Sequence, residues 1–183
     1  MKKAITDPDV RMLASIAATL KGDYVKIDAE DPWAGSPFAW IRTQASRRRG
    51  KIGEQLIAGW CAAKGLDVVG SDDLESDRII NGRRVEIKFS TPWNTGFYKF
   101  QQLRYQNYDY AICLGISPFD ADCWVLSKKI LRSHVLGHTP QHAGRSGKDT
   151  FWLTVKVGKP PPWLRSCGGT LAAAYEIIRK WRA

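Results

Sequence analysis

The stretch that decides the fold is residues 77–89, with the sequence DRIINGRRVEIKF. Its central Asn81-Gly82 pair separates two strand-like runs, which predicts a β-hairpin with a two-residue type I′ turn. A turn of that length fixes the register, so Asp77 is expected to face Glu86 with Cβ atoms roughly 5 Å apart. Lys88 follows Glu86 by two residues and is therefore expected on the same face of the sheet.

The charged face of this hairpin predicts a metal site. Two carboxylates directly opposite one another repel, which is unfavourable in a sheet built only for stability. Mg²⁺ takes oxygen ligands and is commonly held by one or two carboxylates with phosphate oxygens and water, so Asp77 and Glu86 are interpreted as its ligands. The alternative is that Asp77, Glu86 and Lys88 are ordinary solvent-facing polar residues. The other face is expected to point to the core with Val85, Ile87 and Phe89.

The remaining sequence predicts an α/β domain with a mixed central β-sheet flanked by helices. Ser46 is a candidate N-cap for a helix that ends near Gly65. Residues 110–116 form a nearly continuous apolar run, as expected of a buried central strand. No domain boundary is evident, so residues 1–183 are predicted to form a single domain. The other predicted elements are helices at 8–20, 98–107, 128–137 and 171–181 and strands at 66–69, 124–126 and 151–157.

Composition indicates a globular protein with an anionic partner. The 183 residues carry a formal net charge of +10, which favours nucleic acid over other partners. No apolar run is long enough to span a bilayer, and charged residues interrupt the N-terminal segment where a secretion signal would lie, so a cytoplasmic location is expected. The four cysteines lack metal-ligand spacing and are interpreted as reduced core residues.

The order Asp77, short spacer, Glu86-Ile87-Lys88 resembles the PD-(D/E)xK nuclease superfamily, and most closely its type II restriction endonucleases. The resemblance covers about residues 46–127, which would be the catalytic core, and implies a restriction-endonuclease-like α-β-β-β-α-β fold. Ser76 replaces the proline of the motif, at a position that varies in the family. Residues 128–183 would then supply recognition and dimerisation elements.

The resemblance also implies roles for the site residues. Asp77, Glu86 and the backbone carbonyl of Ile87 would hold one or two Mg²⁺ ions, for which Mn²⁺ can substitute. Lys88 would orient and help to deprotonate the attacking water. Glu54 would support the metal site from the preceding helix; alternatively, it is simply a solvated helix residue.

Several residues outside the hairpin are candidates for DNA contact. Arg47, Arg48 and Arg49 lie at a predicted helix N-terminus, where phosphate binding is favoured. Gln101, Gln102 and Arg104 resemble the Gln-bearing helix that follows the catalytic strand in many of these nucleases, although an ordinary polar helix is the alternative. Residues 141–148 include Arg145 and Lys148, suited to contacting DNA, or form a flexible basic loop. The three histidines His134, His138 and His142 are interpreted as loop residues in preference to a zinc site.

The function implied is a Mg²⁺-dependent, sequence-specific endonuclease that cuts double-stranded DNA to leave 5′-phosphate and 3′-hydroxyl ends. A palindromic target would call for a homodimer, and a cognate DNA methyltransferase could act on the same site. The alternatives are a structure-specific nuclease such as a Holliday-junction resolvase, a non-catalytic DNA-binding module, and a basic RNA-binding protein.

Overall fold

A computed structural model describes residues 31–72, 75–140 and 149–181 of the chain. Met1–Gly35 and Ser36–Ala183 form two compact units, and every element below belongs to the second. The helix predicted at residues 8–20 lies outside the described residues, and the single domain over 1–183 stays a prediction. Within the described ranges, no helix has both the length and the hydropathy needed to cross a bilayer.

The centre of the fold is a five-stranded mixed β-sheet in the order β1-β2-β3-β5-β6. Strand β3 pairs in parallel with β5, and the other neighbours are antiparallel. This confirms the predicted mixed sheet. The strands are β1 (Val68–Gly70), β2 (Arg78–Ile80), β3 (Arg83–Ser90), β5 (Tyr110–Ile116) and β6 (Ala121–Ser127).

The β2–β3 hairpin has the predicted turn and register. Asn81 and Gly82 have φ angles of 46° and 72°, the left-handed values that a type I′ turn requires at both central positions. Ile80 pairs with Arg83, and Arg78 pairs with Val85. The turn is also tied to the preceding loop, because the Asn81 side-chain oxygen accepts a hydrogen bond from the Asp67 backbone N–H at 3.0 Å.

Helices cover one face of the sheet. Helix α1 (Ala39–Arg42) leads into α2 (Ser46–Ala63), which buries Ile57 and Cys61. Helix α4 (Leu171–Ile178) packs against β6 and lies near the C-terminal end of α2, where the Lys64 ammonium is 5.7 Å from the centroid of the Tyr175 ring. The predicted N-cap was wrong by one residue: Ala45 occupies the cap without a side-chain hydrogen bond, and Ser46 is the first helical residue.

The other face of the sheet is covered by a second, two-stranded antiparallel sheet. Strand β4 (Phe97–Leu103) pairs with β7 (Phe151–Lys156), so the helix predicted at residues 98–107 was wrong. The alternation in β4 explains the difference, because Tyr98 and Phe100 are fully buried while Phe97, Lys99 and Gln101 reach the surface. A period of two is typical of a half-buried strand.

The larger core lies between the two sheets. It is completed by helix α3 (Lys128–His134) and a 3₁₀ helix (Pro162–Cys167). Strand β5 is buried on both faces, which explains its continuous apolar sequence. All four cysteines are buried with free thiols, as predicted. The aromatic members of this core are Tyr98, Phe100, Tyr108, Trp124 and Phe151.

The contact between α2 and β3 gives a stability prediction. A Cβ atom at Gly53 would lie 2.6 Å from Phe89 Cγ, which is too close for any side chain. Gly53→Ala should therefore lower the free energy of unfolding by roughly 1–3 kcal/mol, the usual cost of overpacking, as measured by urea unfolding.

Gly59 is the matched control in the same helix. A Cβ atom there meets nothing within 4 Å, so Gly59→Ala should raise stability by about 0.5–1 kcal/mol through helix propensity alone. Equal effects of the two substitutions would contradict the close packing of α2 on β3.

Candidate active site

The main-chain hydrogen-bond ladder between β2 and β3 ends next to the predicted metal ligands. Strand β2 begins at Arg78, so Asp77 lies immediately before the strand, and the predicted Asp77–Glu86 pair is not part of the ladder, which ends at Arg78 and Val85. The Asp77 backbone N–H donates to the Val85 carbonyl at 2.9 Å, and the Ile87 N–H donates to Asp77 Oδ2 at 2.7 Å. A carboxylate thus takes the place that a main-chain carbonyl would hold in a continuing ladder.

This hydrogen bond also fixes the direction of the Ile87 carbonyl. The N–H and C=O groups of one strand residue point to the same side of the strand, since paired residues exchange both bonds. The Ile87 carbonyl therefore points to the edge where β2 has ended, next to Asp77. Both residues line a cleft of about 1100 Å³.

Glu86 and Lys88 lie on the face of β3 that points to the larger core. They pair in register with Ala111 and Cys113 of β5, which belong to that core. Lys88 Nζ lies 2.5 Å from Glu86 Oε1, and the two side chains expose 18% and 9% of their surface. Lys88 lines the cleft, whereas Glu86 does not. A carboxylate this deeply buried needs such a partner, because an unpaired buried charge is very costly.

Glu54 approaches the site from α2. Its Oε2 atom lies 2.6 Å from Lys51 Nζ and 3.9 Å from Arg78 Nη1, and its side chain lines the cleft beside Asp77. The structure therefore brings the helix carboxylate to the hairpin, as the sequence predicted, but with a cationic neighbour that the sequence analysis missed. Lys51 precedes Glu54 by one helical turn, which is the spacing that allows an ion pair.

The pKa of Asp77 reflects its burial and the charges of the residues around it. Its pKa is raised to about 6, first by burial and then by the negative charge of Glu86. The Ile87 N–H opposes the increase, Glu54 adds to it, and Lys88 lowers the pKa. The carboxylates are thus close enough to repel one another, and a bound cation would relieve that repulsion.

The chemistry of this donor set fits a hard divalent cation. Asp77 Oδ1 makes no hydrogen bond within the described parts of the chain, and the Ile87 carbonyl points to the same edge. No three His, Cys, Asp or Glu side chains among the described residues form a ready-made metal cage. The carboxylates of Asp77 and Glu86 and the carbonyl of Ile87 are nevertheless oxygen ligands of the kind that hold Mg²⁺, with phosphate oxygens and water completing its coordination.

The cleft is strongly cationic. The described residues that line it include six cationic side chains and two carboxylates, Glu54 and Asp77. On its rim, Trp93 exposes 45% of its surface, and Lys99 Nζ lies 3.8 Å from the centroid of the Trp93 ring. The six cations are Arg42, Arg47, Arg49, Lys51, Lys88 and Lys99.

The predicted DNA-contacting residues divide into three groups. Arg47, Arg49 and Gln102 line the cleft, together with Gln101. Arg48 and Arg104 are exposed but do not line it. Arg145 and Lys148 lie outside the described residues. Sequence analysis missed Arg42 and Lys99, and the alternation of residues 97–101 was the only local signal that could have placed Lys99 in the cleft.

Two further interpretations change with the structure. Gln101 and Gln102 lie on strand β4, so their assignment to a Gln-bearing helix was wrong. His134 ends helix α3 and stacks on Trp163 with ring centroids 4.3 Å apart, so it is not a loop residue. His138 Nε2 lies 3.3 Å from the Arg132 carbonyl oxygen, and His142 lies outside the described residues.

Comparisons with known proteins assign no family. No protein-family model matches the chain, and no curated protein matches it. Among solved structures, the chain is similar to a bacterial homing endonuclease, I-Ssp6803I, with 18% sequence identity and a TM-score of 0.48. That similarity covers 76% of this chain and 95% of the other.

The raised pKa of Asp77 predicts a pH-dependent stability effect. Asp77→Asn removes the carboxylate but keeps an oxygen that can accept from the Ile87 N–H, so we expect the variant to be more stable than the wild type near pH 8. The folded-state pKa of about 6 exceeds the ordinary 3.8. The ionisation penalty is therefore fully present above about pH 6 and is lost as pH falls towards 3.8.

Urea unfolding at about pH 8 and about pH 4.5 measures this effect. The gain from Asp77→Asn should be clear at the higher pH and much smaller at the lower one. Asp72→Asn, at an exposed position in the same loop, is the matched control and should show no such pH-dependent gain. An equal gain for Asp77→Asn at both pH values would contradict the electrostatic origin of the shift.

Proposed function

We propose that this chain is a Mg²⁺-dependent, sequence-specific endonuclease that hydrolyses double-stranded DNA to 5′-phosphate and 3′-hydroxyl ends, in the manner of type II restriction enzymes of the PD-(D/E)xK superfamily. One observation carries the proposal: the Asp77 carboxylate is bonded to Ile87 where the β2–β3 ladder ends, and it lines the same cleft as Lys88, the ion-pair partner of Glu86. That arrangement offers oxygen ligands and a cation at the edge of a basic cleft.

Each residue then has a role. Asp77, Glu86 and the Ile87 carbonyl would hold one or two ions. An ion held by these residues would polarise a scissile phosphate and provide hydroxide near neutral pH. Lys88 would orient the attacking water and take part in its deprotonation. Its positive charge would also stabilise the negative charge that develops on the phosphate. Glu54 supports the site from α2, where its charge already acts on Asp77.

The charge of the cleft supports DNA as the substrate. Arg47 and Arg49 lie in the first turn of α2, where backbone N–H groups and the positive end of the helix dipole also favour phosphate. Lys99 extends the positive potential to the opposite wall. Contacts of this kind bind the DNA backbone and make affinity fall with rising salt concentration.

Glu86→Ala gives the decisive test of the chemistry. Wild-type protein with Mg²⁺ should convert a supercoiled plasmid into discrete linear fragments, and sequencing their ends should give 5′-phosphates. Glu86→Ala should reduce the cleavage rate by at least about a hundredfold, because it removes a metal ligand and the partner of Lys88. DNA binding, measured by gel shift without Mg²⁺, should persist.

Glu176→Gln is the matched control, since Glu176 is an exposed carboxylate paired with Arg179 on α4. It should cleave at the wild-type rate. In addition, Mg²⁺ should raise the unfolding temperature of the wild type more than that of Glu86→Ala, because a ligand stabilises the state that binds it. Wild-type-like cleavage by Glu86→Ala would disprove the assignment of the site.

Restriction-type specificity predicts a two-fold assembly. A palindromic target engages two identical subunits, so sedimentation should detect two chains per cognate duplex. One chain per duplex would contradict the homodimer. Cleavage of branched DNA alone would instead indicate a resolvase. A methyltransferase that modifies the same sequence would protect the plasmid from cleavage.

A further inference from the structure

The outer face of the β4–β7 ribbon carries polar and cationic side chains beside the partly exposed rings of Phe97 and Trp152. The inner face buries Tyr98, Phe100 and the facing apolar residues of β7. On the outer face, Lys99 pairs with Thr154, and the pairing of Phe97 with Lys156 adds a second ammonium group. Lys99 and Gln101 also line the cleft that contains Asp77 and Lys88. Strand β4 of the ribbon therefore forms part of one wall of the candidate active site.

A β-bulge at Gln102 interrupts the regular alternation of strand β4. The β4–β7 register shifts between Phe100 and Leu103, and Gln102 has a φ angle of 59°. The bulge keeps Leu103 fully buried while Gln102 is exposed in the cleft. A left-handed conformation is costly for a residue other than glycine, and bulges are frequent next to active sites, where they redirect a side chain.

We propose that the β4–β7 ribbon enters the major groove of DNA and that Gln101 and Gln102 recognise base edges there, with adenine as the preferred base. The proposal rests on the proposed function and adds the residues that determine specificity. The major groove admits a two-stranded β-ribbon, and a glutamine amide forms a bidentate pair with adenine N6 and N7. Lys99 and Lys156 supply the charge that flanking phosphates require.

The anchoring of the ribbon predicts which bases it contacts. The Lys99 backbone N–H donates to Ser90 Oγ at 2.9 Å, which ties β4 to the end of β3. Ser90 follows Lys88 by two residues, about 7 Å along the strand, and Gln102 lies three residues, about 10 Å, beyond Lys99. At about 3.4 Å per base pair, the recognised bases lie within roughly five base pairs of the cut.

Duplex DNA fits this surface better than RNA does. The major groove of A-form RNA is deep and narrow, so side chains on a ribbon cannot reach its base edges. The polar members of the outer face are Lys99, Gln101, Gln102, Thr154 and Lys156. On the same face the partly exposed Trp152 packs against Trp93 with ring centroids 6.3 Å apart, and Lys99 Nζ lies 3.8 Å from the Trp93 centroid and 5.1 Å from the Trp152 centroid.

Site selection from randomised duplexes tests the proposal. The selection uses the full chain carrying Glu86→Ala, with and without Gln101→Ala or Gln102→Gly. Glycine at 102 removes the amide but suits the left-handed backbone. At least one glutamine variant should lose preference for adenine at one or two positions by about 5- to 150-fold, the range for a bidentate contact, while the other positions of the site stay unchanged.

Gln55→Ala is the matched control, because Gln55 is exposed on α2 and does not line the cleft. It should leave the selected sequence unchanged. Cleavage mapping of the same glutamine variants with Glu86 intact should place the altered positions within about five base pairs of the cut.

An unchanged selected sequence for both glutamine variants would overturn the recognition role, as would altered positions far from the cut. A wild-type protein that selects a sequence but never cleaves it would refute the nuclease proposal and leave the recognition role supported. Selection of RNA in preference to DNA duplexes would overturn the proposed substrate class.

Discussion

The candidate site depends on one hydrogen bond, from the Ile87 N–H to Asp77 Oδ2 at 2.7 Å. It ends the β2–β3 ladder with a side chain in place of a main-chain carbonyl and leaves the Ile87 carbonyl facing the same edge. The hydrogen bond also opposes the effect of burial on the pKa of Asp77, because the N–H lowers this pKa while burial and Glu86 raise it. The carboxylate is thereby held beside its neighbours in spite of their mutual repulsion.

A second constraint is that β3 is covered on both faces. Helix α2 packs on Phe89 through Gly53, so Glu86 and Lys88 must point to the core beneath the β4–β7 ribbon. Buried ion pairs are weak contributors to stability, and apolar replacements of similar volume are often neutral or stabilising. The Glu86–Lys88 pair is therefore poorly explained by folding alone. The proposed chemistry at the adjacent cleft would give a reason for two charges at this depth.

Local rules were sufficient for the hairpin and insufficient for β4. The Asn81-Gly82 pair fixed turn and register, because both positions require positive φ angles. Residues 97–103 alternate as a half-buried strand does, but the bulge at Gln102 interrupts the period, and the resemblance to the Gln-bearing helix of nucleases led to a helix prediction there. The cationic lining at Arg42 and Lys99 could not be predicted, because it arises from the approach of α2 and β4 to β3.

The strand that replaces the expected crossover helix has a functional consequence. A helix between β3 and β5 would present one edge to the cleft, whereas β4 presents Lys99, Gln101 and Gln102 to it. The Ser90–Lys99 hydrogen bond joins β4 to the end of β3, two residues beyond Lys88. Base recognition on β4 and phosphate chemistry on β3 would then lie on two strands joined directly by this bond, and a base contact would help to position the scissile phosphate, because productive geometry requires rigid support.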